Sequence, residues 1–315
     1  MLDVRRLILL RDLAQLGTVT AVAEVHQVTP SAISQQLRLL EQETGVQLLE
    51  RTGRSIHLTT AGRRLSEDTE EVLAALERAH VRVRSRDAAP TGPLRVACFP
   101  SALLPLAAPL VAAMSEAHPG LELHVIEAEP ECASRLLLQR DAELALVYRY
   151  DNLATPELPG LLNKRLMTDS FVAVLPAGHP SAALRAPLDL EELAEAHWVT
   201  APAGTACGDA VLQACRAVGY TPKVRHTCAD FTTMTALADL GGHVALVPGL
   251  AASHMPPTLT TRPLRHGTLS RTIDIALRSG TERDPAITAA LRLLQSTAPA
   301  LLAPVPVNSS STTGA

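Results

Sequence analysis

The chain has 315 residues, 47% hydrophobic and only 2% aromatic, with 28 Lys and Arg against 32 Asp and Glu for a formal charge of -4. That length exceeds one compact core and predicts two or three domains built on Leu, Val and Ala, in helices and parallel strands. The charge excludes a histone-like polycation but leaves room for a small, locally basic nucleic-acid head; five scattered cysteines without C-x-x-C spacing exclude a disulfide scaffold or zinc site and fit a reducing compartment.

The opening "MLDVRRLILLRDLAQLG" places Leu7, Leu10, Leu13 and Ala14 at helical spacing, predicting a helix over about Asp3 to Leu16 that Gly17 stops. Its interspersed charges do not suit a signal peptide, so a cytoplasmic protein is expected. A short second helix is predicted from Thr20 to His26. Thr29 and Pro30 then open a third, Thr29 as a cap and Pro30 at the first helical position, where no amide partner is lost. Ile33, Leu37 and Leu40 form its inward stripe, leaving Ser31, Ser34, Gln35 and Arg38 outward. After Gly45, "VQLLERTGRSIHLT" alternates around Thr52-Gly53 as a hairpin. Residues 1–58 thus read as a winged helix-turn-helix of mainly α type.

Residues 59–87 contain no proline, and Leu65, Val72, Leu76, Ala79 and Val83 lie near a seven-residue repeat. One apolar seam on a long helix calls for a partner helix, hence dimerisation; the alternative is a helix lying on its own domain. "AAPTGP", within 88–93, reads as a hinge. Beyond it strands alternate with helices, predicting a parallel sheet with crossovers. The alternation makes two passes, dividing the region into a first lobe (94–164 and 267–303) and a second (165–266) with a ligand cleft between them. The apolar run "ALLPLAAPLVAAM" is too short to span a bilayer and holds two prolines, so no membrane role is expected. The tail, 304–315, is too polar and small to pack, and disorder is expected there.

Uncharged donor-acceptor side chains on one helix and arginines on the next loop match the requirements of duplex DNA. Glutamine forks onto adenine, arginine onto guanine, and serine adapts. Phosphates need only charge and free amides, which Arg51, Arg54 and the start of the third helix supply. Three strand-to-helix crossings bring hydroxyls and free helix amides together, favouring a carboxylate or another anion as ligand. They offer Ser101 and Ala102; Thr200, Gly204 and Thr205; and Asp230, Phe231 and Thr232, with Tyr148 and Arg149 after another strand. No P-loop, nucleophile elbow, H-E-x-x-H or dinucleotide fingerprint is present, so neither enzyme activity, catalytic residues, cofactor nor metal is expected.

The run "TPSAISQQL…LE…GVQLLERTGR…LTTAG" resembles the N-terminal domain of LysR-type transcriptional regulators, and the linker helix and paired lobes extend the resemblance over about 300 residues. It implies a bacterial regulator with a periplasmic-binding-protein-like effector domain of two lobes. Such a protein forms dimers or tetramers through the linker helix, binds an interrupted palindrome in double-stranded DNA and works with RNA polymerase. By position, Thr29, Pro30, Ser31, Ser34, Gln35 and Arg38 match the recognition face and Arg51 and Arg54 the wing; the three crossings match the family's ligand site. His26 departs from the family, which has an apolar residue there; a hydrogen-bonded histidine at a helix end is the expected explanation. Two other readings stay open. One is a solute-binding protein with no DNA role. The other is a thiol redox sensor using Cys207 and Cys215, as in peroxide-sensing family members, Cys207 having a thiol pKa lowered by a helix N-terminus. Eight helical positions separate that pair by roughly 12 Å, beyond the reach of a disulfide without unwinding.

Overall fold

The computed structural model describes residues 2–52, 55–84, 89–155, 158–183, 186–252, 255–265 and 269–301. The tail expected to be disordered lies outside them. Two compact units emerge, one comprising residues 1–86 with 158–161 and 278–283, the other the remainder.

In the first unit α1 (Val4–Leu16), α2 (Val19–Val25) and α3 (Pro30–Thr44) precede a hairpin of β1 (Leu49–Thr52) and β2 (Ser55–Leu58), then α4 (Thr60–Arg84). The local signals act as expected. Asp3 caps α1, Gly17 ends it in the left-handed region, and Thr18 caps α2. Thr29 accepts from the Ala32 amide with Pro30 behind it, and Gly45 closes α3. Leu10, Leu13, Val22, Ile33, Leu37 and Leu40 make the core beneath. Thr59 caps α4 through the Gly62 amide at 3.0 Å. Gly62 is required there: a Cβ would come within 2.2 Å of the Leu48 carbonyl oxygen.

α4 has two unlike faces. Ser66, Thr69, Leu73, Ala74, Glu77 and Val81 are buried, and Glu77 accepts from Arg278 at 3.3 Å. Val72, Leu76, Ala79 and Val83 are exposed, Val83 at 81%. Leu65 departs from the predicted seam, because the first turn of α4 also packs on the head and Leu65 joins that core.

The second unit begins with β3 (Gly92–Cys98), which takes up Gly92 and Pro93 of the predicted hinge. α5 (Pro100–Ala102), a π-helical turn at Leu103–Ala107 and α6 (Ala108–Ala117) follow as one helix. Pro105 and Pro109, which lack amide donors and crowd the preceding turn, account for the widened turn. This helix of 18 residues is longer than the sequence suggested, and by length and composition alone it could cross a membrane. Its Ala102, Leu106, Ala107, Leu110 and Met114 nonetheless belong to the first lobe's core. Next come β4 (Leu121–Glu127), α7 (Pro130–Leu138), β5 (Leu144–Tyr150), β6 (Leu161–Pro176), β7 (His197–Thr200), α8 (Ala206–Ala217), β8 (Lys223–Thr227), α9 (Phe231–Gly241), β9 (Ala245–Pro248), α10 (Gly249–Ala252), β10 (Leu259–Pro263), β11 (Ser270–Arg278) and α11 (Pro285–Leu301).

The wholly parallel sheet expected for this region is corrected. β3 runs parallel to β4 and β5, and β7 to β8, wherever a helix crosses between strands. β11 lies antiparallel to β5, and β6 antiparallel to both β9 and β10. The antiparallel pairs join strands that are not consecutive in the chain, so no single crossover helix sets their direction. The long β6 serves both lobes: Met167 belongs to the first core and Phe171 to the second.

Candidate functional site

On α3 the predicted readers occupy the outer face. Thr29, Pro30, Ser31, Gln35 and Arg38 are exposed and Ser34 is half-buried. Gln35 makes no side-chain bond among the described residues, so its amide is available to a base edge. The Ser34 hydroxyl donates to the Pro30 carbonyl at 2.9 Å, which leaves its lone pairs free to accept. Arg38 donates through Nε to the Ser34 carbonyl at 3.2 Å. Gln36, one residue on, instead accepts from Arg6 Nε at 3.0 Å and helps tie α3 to α1.

Sequence reading passed over Glu41, whose carboxylate accepts from the Leu48 and Leu49 amides at 2.9 and 3.0 Å and so fixes the start of the wing on α3. Its signal was a lone acid at the back of the recognition helix facing a strand yet to be placed. Arg51 lies in β1, but its side chain, like Arg54 and Gly53, falls outside the described residues.

Where α1 meets α4 and the end of α2 lies a partly buried charged cluster. Arg11 Nη2 lies 2.7 Å from Asp12 and its Nε 3.9 Å from Glu70 of α4. His26 Nε2 meets the other Asp12 oxygen at 2.6 Å. That contact explains a histidine where the family has an apolar side chain. Burial raises the Glu70 pKa, outweighing the neighbouring Arg11 charge; Asp12 adds to the rise.

In the second unit a cavity of about 360 Å³ opens beyond the ends of β3, β4 and β5. Its floor is Arg271, 1% exposed, which donates to Asp169 through Nε at 3.0 Å and Nη2 at 2.8 Å. Nη2 also donates to Ser101 Oγ at 2.7 Å. The guanidinium carbon lies 4.9 Å from the Phe99 ring centroid and 4.8 Å from that of Tyr148, cation–π distances. Burial raises the Asp169 pKa against the lowering effects of Arg271 and the Gly249 and Leu250 amides. The Tyr148 hydroxyl donates to Glu129 at 2.9 Å, and burial first, then that carboxylate, pushes its pKa up.

Ser101, Tyr148, Phe231 and Thr232 do line this cavity, with Asp230 beside them. The other predicted ligand residues do not. Ala102 is fully buried in the first core. Arg149, one step along β5 from Tyr148, projects to the opposite face as strand alternation demands and donates to Asp274 at 3.2 Å. Thr200 is buried, the Gly204 amide is held by Asp209, and Thr205 caps α8. That crossing serves the fold locally. Arg271 and Asp169, missed from sequence, are 102 positions apart, and each alone reads as an ordinary strand charge.

The expectation of an anion also meets an obstacle. The cavity is lined by Glu127, Glu129 and Asp230, against Arg271 alone. The α9 start, meant to attract a carboxylate, already carries one. Asp230 caps α9, Thr233 bonding holding its pKa below the usual range, and Glu129 occupies the cap position of α7. Cys207 and Cys215 share α8. Burial pushes both thiols up, overturning the lowered value expected for Cys207, where Tyr150 and Arg271 pull the other way without prevailing.

Residues 4–63 match the family described as bacterial regulatory helix-turn-helix proteins, lysR family, and residues 87–299 match the LysR substrate binding domain. The transcriptional dual regulator GltC of Bacillus subtilis is 25% identical over 286 residues, 90% of this chain and 93% of that protein. Among solved structures, a hydrogen-peroxide-bound mutant of Corynebacterium glutamicum OxyR superposes with TM-score 0.59 at 25% identity, covering 96% of this chain and 94% of that one. CbnR complexed with its target DNA gives 0.55 at 21% identity, covering 94% and 100%, a likeness of fold.

Proposed function

The chain belongs to the LysR family, a family of DNA-binding transcriptional regulators with an effector-binding domain, and from that premise we propose how its parts divide the work. α3 enters the major groove with Gln35 as principal reader, Ser31, Ser34 and Arg38 beside it, and Thr29 and Pro30 presenting the helix start to a phosphate. Arg51 and Arg54 of the wing hold the backbone. Two chains associate through Val72, Leu76, Ala79 and Val83 of α4, as dimers or pairs of dimers, so that two heads meet an interrupted palindrome. The molecule acts in the cytoplasm, where the DNA and RNA polymerase are, and has no enzymatic role.

The observation that carries this reading is the outer face of α3: an unbonded Gln35 on a helix whose inner face is locked by Ile33, Leu37 and Leu40. The cavity over Arg271 receives the effector, because it joins both lobes' residues around a charge held in place by Asp169. A gel shift on the DNA upstream of the chain's own coding sequence tests it. A shifted band that survives excess random DNA is expected; its absence would leave a solute-binding protein.

A further inference from the structure

Taking the cavity over Arg271 as the effector site proposed above, we infer that the effector is an organic cation: an amine of metabolite size whose ammonium group sits among Glu127, Glu129 and Asp230. Three carboxylates line the space and one guanidinium answers them. That guanidinium is already engaged, with Asp169 and Ser101 on its nitrogens and the Phe99 and Tyr148 rings across its faces. An incoming anion would find only Nη1 of this 1% exposed guanidinium without a bond among the described residues, and would meet the three lining carboxylates on the way. An incoming cation meets no such barrier. The Glu127 side chain makes no hydrogen bond or ion pair among the described residues, so its charge is uncommitted.

The aromatic residues support the same class. Only seven aromatic residues occur in the chain. Tyr148 and Phe231 border the cavity and are partly exposed, while Phe99, fully buried, backs Arg271. Rings interleaved with carboxylates suit an ammonium, which gains from a π face as well as from charge. A carboxylate gains from neither. The volume of about 360 Å³ falls at the small end of ligand pockets, which suits a metabolite rather than a polymer.

Calorimetric titration of the full chain with matched pairs isolates the charge: phenethylamine against phenylacetate, and putrescine against succinate. At least one amine is expected to bind about tenfold or more tighter than its acid partner. Glu127→Gln should weaken that amine by roughly two- to fivefold, the range for a solvent-exposed charge pair, and Asp230→Asn should do likewise, since asparagine still caps α9. Acids binding as tightly as the amines, or no binding within either pair, would overturn the inference. The assignment of the cavity as effector site is separate: acid binding that is lost in Phe231→Ala would uphold that site while refuting the cation.

Discussion

Asp169→Ala removes the carboxylate that offsets Arg271. Both partners are almost sealed from water, at 4% and 1% exposure. Two guanidinium bonds end on the deleted group, and the Leu250 amide donates to it at 3.1 Å. Stranding a buried charge costs about 3–5 kcal/mol. For a unit of this size each kcal/mol lowers the midpoint by about 2–4 °C, so a fall of roughly 6–20 °C is expected. Because taking both charges out of water offsets most of their attraction, forming the pair gains little over two apolar groups. The double variant Asp169→Leu with Arg271→Met should therefore recover most of the loss. Trp198, the one tryptophan and fully buried in the second lobe, reports the transition by fluorescence during heating or urea unfolding. A single variant melting with the parent, or a double variant as unstable as the single, would refute this account of the cavity floor.

Gln35→Ala should lower the preference for the operator over random DNA by about 1–3 kcal/mol, roughly five- to 150-fold, whereas Arg51→Ala should weaken both alike and flatten the salt dependence by about one unit of slope; equal losses on both DNAs for Gln35→Ala, measured by fluorescence anisotropy, would show the reader misplaced. Leu76→Glu, at a side chain 45% exposed on the free stripe of α4, should convert dimers to monomers in light scattering, and an unchanged mass would move the interface elsewhere. Glu70 has a raised folded pKa. Its contribution to stability is therefore present below the unfolded value of about 4.3 and lost as pH rises through the folded value. Glu70→Gln should accordingly melt higher than the parent at about pH 8, with the difference closing toward about pH 4; a variant that melts lower under the alkaline condition would mean that Arg11 outweighs burial.

What was legible from sequence was local. Thr29, Pro30 and Gly45 delimit α3 because a cap, a fixed φ and a left-handed glycine act within one turn, and Ile33, Leu37 and Leu40 declare the buried face by spacing alone. The same locality exposed Gln35 and the α4 stripe. Leu65 could not be assigned that way, since one side chain can serve a seam or a neighbouring core and only packing chooses. Arg149 and Tyr148 were indistinguishable as neighbours on a strand until the sheet gave each a face. The cavity over Arg271 lay furthest from reach. Arg271, Asp169, Ser101 and Glu129 come from distant strands and helix starts, and electrostatics depends on distance in space, which residue spacing does not record. Hydroxyls and helix ends suggested an anion; only the fold brings Glu127 and Glu129 beside Asp230, the juxtaposition from which a cation was inferred instead.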